Sequence, residues 1–120
     1  MFALCFLSAG VVFAQDGGLT KRVEFEENKP SVRFEEKVDL MNSHRYLMSL
    51  REGQELTIKL KGKQIHLSLI APSEKTLVKL EGQSKAKTVS EIAKERGDYL
   101  LLVQCFCKGF PKYKLDITAK

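Results

Sequence analysis

From Val23 to the carboxyl end, apolar and polar side chains alternate with a period of two. Turn residues break the pattern about every eight to twelve positions, the spacing of a sandwich or barrel. Only an extended strand sends successive side chains to opposite faces, so this alternation commits the chain to sheets with one buried face. No long helical period competes with it. Val23 and Phe25 begin the pattern, and Asn28-Lys29-Pro30 turns the chain. Val32, Phe34 and Val38 then share one parity against Arg33, Glu35 and Lys37. Tyr46, Met48 and Leu50 form the inward face of the next strand, and Glu52-Gly53-Gln54 turns it into the cleanest amphipathic run, Leu56, Ile58 and Leu60 against Thr57, Lys59 and Lys61. Gly62-Lys63 leads into Ile65, Leu67 and Leu69, and Ala71-Pro72-Ser73 leads into Leu77-Val78-Lys79-Leu80.

Residues 81–88 read as a polar loop, and residues 89–95 as a helical turn or a short edge strand. Gly97-Asp98 launches the longest apolar strand, residues 99–107, which a short connection at 108–112 joins to Tyr113, Leu115 and Ile117. So short a connection predicts that these two strands are hairpin neighbours. Leu100, Leu102 and Phe106 make the second face of the long strand apolar as well. That predicts a central strand whose outer face is shielded by a loop or by residues 89–95, or else an apolar patch for a partner.

Residues 1–14 carry no charged side chain, whereas the chain from Gln15 on is densely polar. A stretch this short cannot span a bilayer, which takes roughly 20 apolar residues, but it suits a signal-peptide core of about 7–15. Val12 and Ala14 supply the small residues for cleavage after Ala14. The expected organisation is a signal peptide at 1–14, a flexible lead-in at 15–20 and one β-sandwich domain at 21–120, with export to the periplasm or the cell exterior and no membrane span. The architecture expected is all-β: a single antiparallel, jelly-roll-like sandwich of about seven or eight strands, with a small five-stranded barrel as the alternative.

All 20 Lys and Arg and all 15 Asp and Glu lie beyond the leader, giving a formal charge of +5. Residues 15–55 hold 7 basic and 9 acidic side chains, and residues 56–120 hold 13 and 6, so the second half is net +7. Such asymmetry suits an anionic partner, against the plainer role of keeping an exported surface soluble. The candidate contacts are Lys59, Lys61, Lys108, Phe110, Lys112 and Lys114. Phe110 is singled out because it sits beside Pro111 between two lysines, shaped to enter an acidic-rimmed cleft.

Catalytic machinery is not legible. There is no G-x-S-x-G elbow, no H-E-x-x-H and no glycine-rich phosphate loop, and His44 and His66 read as ordinary surface residues. Glu26-Glu27 and Glu35-Glu36 are neighbours along a strand and so face opposite ways. Nucleic acid is disfavoured because Tyr46, Tyr99 and Tyr113 fall at inward parity, where no base can stack on them. Cys105 and Cys107 stand two residues apart, about 6.6 Å in an extended strand. A bridge at that spacing would need a kink, which favours two buried thiols over a disulfide or a metal or redox pair. No cofactor or metal set is expected, since a lone C-x-C lacks the further ligands that zinc requires.

Four segments taken together carry a resemblance: Arg22-Val23-Glu24-Phe25; the run from Arg45-Tyr46 through Gly53-Gln54 to Leu56; Gly97-Asp98-Tyr99 with its apolar continuation to Val103; and Tyr113-Lys114-Leu115-Asp116-Ile117. They resemble the bacterial pre-peptidase C-terminal type of β-sandwich and, within it, the periplasmic inhibitors of goose-type lysozyme. The resemblance spans nearly all of residues 22–119. It implies a non-catalytic, exported binding module of the cell envelope, whose partner is an anionic wall polymer or an envelope protein. The alternative it implies is inhibition of a lysozyme. Where the inhibitors carry an arginine in the connection before the last strand, this chain has Lys108 and Lys112.

Overall fold

The computed structural model describes residues 12–15, 18–40, 42–81, 85–106 and 108–120. Residues 1–11 of the leader with Cys5, residues 16–17 of the lead-in, residue 41, residues 82–84 of the polar loop and Cys107 lie outside the described residues. Ten strands form: β1 (Val12–Gln15), β2 (Gly18–Val23), β3 (Ser31–Lys37), β4 (Ser43–Leu50), β5 (Glu55–Lys61), β6 (Ile65–Ile70), β7 (Thr76–Leu80), β8 (Lys87–Ile92), β9 (Gly97–Cys105) and β10 (Lys112–Ala119). They make two sheets, of order β1-β2-β4-β9-β6-β7 and β3-β10-β5-β8. No strand is shared between them, so the fold is a sandwich and not a closed barrel.

β1 covers Val12–Gln15, where the sequence predicts the end of a leader and the start of a flexible lead-in. Gly18–Val23 is a strand where a flexible lead-in was expected to Thr20. Its ladder with β4 gives those backbone groups hydrogen-bond partners that no apolar period foretells. That ladder is parallel, because the chain crosses to the other sheet as β3 before returning as β4. The ambiguous 89–95 segment resolves as β8, an edge strand paired with β5.

From β2 to β10 only the β6–β7 connection stays within one sheet; every other connection crosses the sandwich. The expected hairpin between the last two long strands is therefore replaced by a crossing. β9 is central in the larger sheet, between β4 and β6, while β10 is central in the smaller one, between β3 and β5. Each has both ladder edges occupied, and their apolar faces meet across the core instead. The outer face of β9 is likewise not shielded by β8, which belongs to the opposite sheet. Leu100 is flanked in register by Leu47 of β4 and Ile70 of β6, which leaves all three half-buried on the open face.

The core follows the alternation closely. Tyr46, Met48 and Leu50 of β4, Leu56, Ile58 and Leu60 of β5, and Tyr99, Leu101 and Val103 of β9 are all almost completely buried. Tyr113, Leu115 and Ile117 of β10 close it from the other side. Tyr99 donates its hydroxyl proton to the carbonyl of Glu95 at 2.7 Å, tying the turn before β9 onto the strand. In that turn Gly97 has φ +144°, and Pro72 lies 3.0 Å from where a β-carbon would stand. At one open side of the sandwich Lys21 of β2 bridges to Glu36 of β3 at 2.6 Å, with its ammonium 4.9 Å from the centre of the Phe34 ring.

Candidate functional site

Strand direction gathers the loops. β3 ends, β4 begins, β5 ends, β6 begins, β9 ends and β10 begins at the same end of the sandwich, as their registers require. The described residues of the connections after β3, β5 and β9 (38–40 and 42; 62–64; 106 and 108–111) therefore lie side by side at that end. A hydrogen bond from the Val38 amide to the Pro111 carbonyl (3.1 Å) fastens the first crossing to the third.

The outer face of the smaller sheet changes character towards this end. Farthest away, Ser31 bonds Thr118 (2.7 Å) and Thr57 bonds Ser90 (3.1 Å) across the strands. The next row alternates in sign: Arg33 meets Asp116 at 2.7 Å, and Asp116 stands opposite Lys59. One row further on, Lys61 stands directly opposite Lys114, and nearest the loops Lys112 stands opposite Lys37. Like charges facing each other across a ladder are destabilising. Among the described residues, Lys114 alone of these four lysines forms an ion pair, with Glu35 at 3.9 Å.

A groove of about 650 Å³ opens beside these rows, lined by Glu35, Glu36, Lys37, Lys61, Gly62, Lys112, Tyr113 and Lys114. Gly62 keeps its floor open: a β-carbon there would come within 3.0 Å of the Lys112 carbonyl oxygen and of Tyr113. Of the six candidate residues, Lys61, Lys112 and Lys114 thus line one groove. Lys59 lies one row away on the same face, and Lys108 and Phe110 project from the 106–111 crossing, Phe110 at 68% exposure. Lys37, Glu35, Glu36 and Gly62 escaped the sequence reading, because their membership depends on which strand β10 pairs with.

Beneath the groove the two sheets are joined by a buried polar chain. The Tyr46 and Tyr113 hydroxyls are 2.5 Å apart, and the Tyr113 hydroxyl is 2.6 Å from His44 Nδ1. His44 is only 6% exposed, which corrects its reading as a surface residue. Its even position puts it in phase with Tyr46 and Met48, a signal present in the alternation. Burial lowers the His44 pKa below its ordinary value, with Glu36 and Asp39 opposing that shift and Lys21 reinforcing it. Burial raises the pKa of both tyrosines, so they stay protonated and one hydroxyl donates to the other. His66 faces outward on β6, its ring 4.7 Å from that of Phe106 in an edge-to-face contact.

Cys105 is disulfide-bonded, which corrects its reading as a free thiol. β9 ends at Cys105, so the extended spacing on which that reading rests does not continue past it. Among the described residues, no three His, Cys, Asp or Glu side chains gather where they could hold a metal ion, and no helix is long and apolar enough to cross a membrane. Glu35 is exposed and Glu36 is engaged by Lys21, so these neighbours do not converge as an acid–base pair.

No family model matches the sequence, and no curated protein matches it. Solved structures do. The periplasmic inhibitor of g-type lysozyme from Aeromonas hydrophila superposes with a TM-score of 0.71 at 17% identity, over 84% of this chain and 96% of that one. Its counterpart from Salmonella Typhimurium gives 0.65 at 19% identity, over 84% and 97%. The pre-peptidase C-terminal domain of a Bacillus anthracis collagenase gives 0.67 at 13% identity, over 82% and 94%. The chain is therefore an all-β sandwich with the fold shared by the periplasmic inhibitors of g-type lysozyme and the pre-peptidase C-terminal domains.

Proposed function

We propose that this chain is an exported, non-catalytic binding domain that inhibits a lysozyme-type glycan hydrolase. It would dock Lys61, Lys112 and Lys114, with the Lys108–Phe110 tip, against the enzyme's acidic cleft. The observation that carries this reading is two like-charge pairs beside an open groove, Lys61 facing Lys114, which Glu35 flanks on its other side, and Lys37 facing Lys112. Opposed lysines do not favour folding, whereas an anionic partner would gain from them. Glycoside hydrolases work with two carboxyl groups flanking the scissile bond, so their clefts offer the complementary charge. The likeness to two inhibitors of g-type lysozyme supports the same partner class, and both of those inhibitors are periplasmic, in keeping with the proposed leader at 1–14. Cleavage after Ala14 would take three of the four β1 residues with it.

The test is titration of the purified protein into a goose-type lysozyme acting on cell-wall substrate. The rate is expected to fall, and doubly reversing Lys61→Glu and Lys114→Glu is expected to weaken inhibition at least tenfold. Full lysozyme activity at large molar excess would remove the proposal. A second reading, binding to an anionic wall polymer, is favoured by Lys85 and Lys87, exposed at the same end without an ion pair among the described residues. Retention on purified cell wall that salt abolishes, without lysozyme inhibition, would select it.

A further inference from the structure

The crest of the loop end differs from the groove on its flank. Four large apolar side chains are well exposed among the described residues, and three stand at this end: Leu40 (52%), Phe106 (64%) and Phe110 (68%). The sequence does not group them, since Leu40 lies far from the other two along the chain. Topology does, because the 38–42 and 106–111 crossings run side by side and are joined by the Val38–Pro111 hydrogen bond. Around them Lys63 of the neighbouring crossing, Lys108, and Lys85 and Lys87 at the entry to β8 are exposed, and none forms an ion pair among the described residues.

We propose that this crest is a docking surface for an anionic lipid bilayer, on which Leu40, Phe106 and Phe110 enter the interface while the surrounding lysines meet the headgroups. A purely charged partner such as a wall polymer would account for the lysines but leave three large apolar side chains in water. A neutral apolar partner would leave the lysines without a counter-charge. A bilayer rich in acidic lipid satisfies both, since its interface takes apolar side chains and its surface potential attracts clustered cations. This surface leaves out the groove lysines Lys61, Lys112 and Lys114 but shares Lys108 and Phe110 with the contact proposed for the hydrolase, so membrane and hydrolase would compete for that tip.

The chain has no tryptophan, so Phe106→Trp gives a single reporter at the crest. The purified protein, its amino terminus fixed by mass spectrometry, is mixed with vesicles of neutral phosphatidylcholine or of a phosphatidylcholine–phosphatidylglycerol mixture. Expected are co-sedimentation with the acidic vesicles alone, weakening with added salt, and a blue shift of the reporter with quenching by brominated acyl chains. Leu40→Ser with Phe106→Ser should reduce retention at least tenfold at an unchanged melting temperature, and Lys63→Glu with Lys108→Glu should do the same. Equal retention on neutral vesicles, equal retention of the Leu40→Ser/Phe106→Ser variant, or no retention at low salt would overturn the proposal. Leu40 and Phe106 lie outside the hydrolase contact, so that double variant keeps its inhibition in the lysozyme assay, and the two ideas fail separately.

Discussion

Reversing one lysine of the groove should make the fold more stable and the protein a poorer binder. Lys61 of β5 stands directly opposite Lys114 of β10, on the exposed face of the smaller sheet. Opposed like charges at such a position are destabilising, and opposite charges contribute about 0.2–1 kcal/mol. Lys61→Glu changes the first into the second. Solvent screening and the existing contact of Lys114 with Glu35 at 3.9 Å hold the expected gain near 0.5 kcal/mol. For a domain of this size that is a rise in Tm of roughly 2 °C. Thermal unfolding followed by circular dichroism at low salt measures it. The gain should shrink towards zero near 1 M salt, where the Debye length is about 3 Å. In parallel, the concentration of protein that halves hydrolase activity should rise. A variant with unchanged or lower Tm at low salt would refute the electrostatic argument, and one with full inhibitory strength would refute the place of the groove in binding.

Tyr113→Phe removes the hydroxyl that joins His44 to Tyr46, leaving two buried polar groups without their partner. A loss of about 1–3 kcal/mol is expected in denaturant titration. Because burial holds the folded-state pKa of His44 below the roughly 6.5 of an exposed histidine, the unfolded chain takes up the proton first as pH falls. Stability should therefore be complete above about pH 6.5 and decline beneath it until the folded-state pKa is passed; unfolding curves between pH 7.5 and 5 check this, and His44→Asn should flatten the slope. Gly97→Ala places a side chain at φ +144° against Pro72, so a destabilisation above about 1 kcal/mol is expected by thermal melt, with the fold retained.

The two-residue alternation was sufficient, by itself, to choose sheets over helices and to sort nearly every inward residue from every outward one. Parity along a strand is a local property, and Tyr46, Ile58, Leu101 and Ile117 obey it wherever their strands are placed. His44 obeys it too, and reads as a surface residue only while the stretch before Tyr46 is taken as a turn; β4 already begins at Ser43. What parity cannot carry is which strand lies beside which. β9 and β10 look like a hairpin from their short connection, yet they sit in opposite sheets because each buries its apolar face against the other and fills its ladder with strands from elsewhere in the chain. The candidate site divides along the same line. Its lysines are visible in the charge asymmetry and Phe110 in its place between two of them, while the opposition of Lys61 to Lys114, the inclusion of Lys37 and Gly62, and the placing of Leu40 at the same end as Phe106 and Phe110 exist only once the register of β10 is set. Local sterics and hydrophobicity wrote the first set into the sequence; the second follows from hydrogen bonds between residues far apart along it.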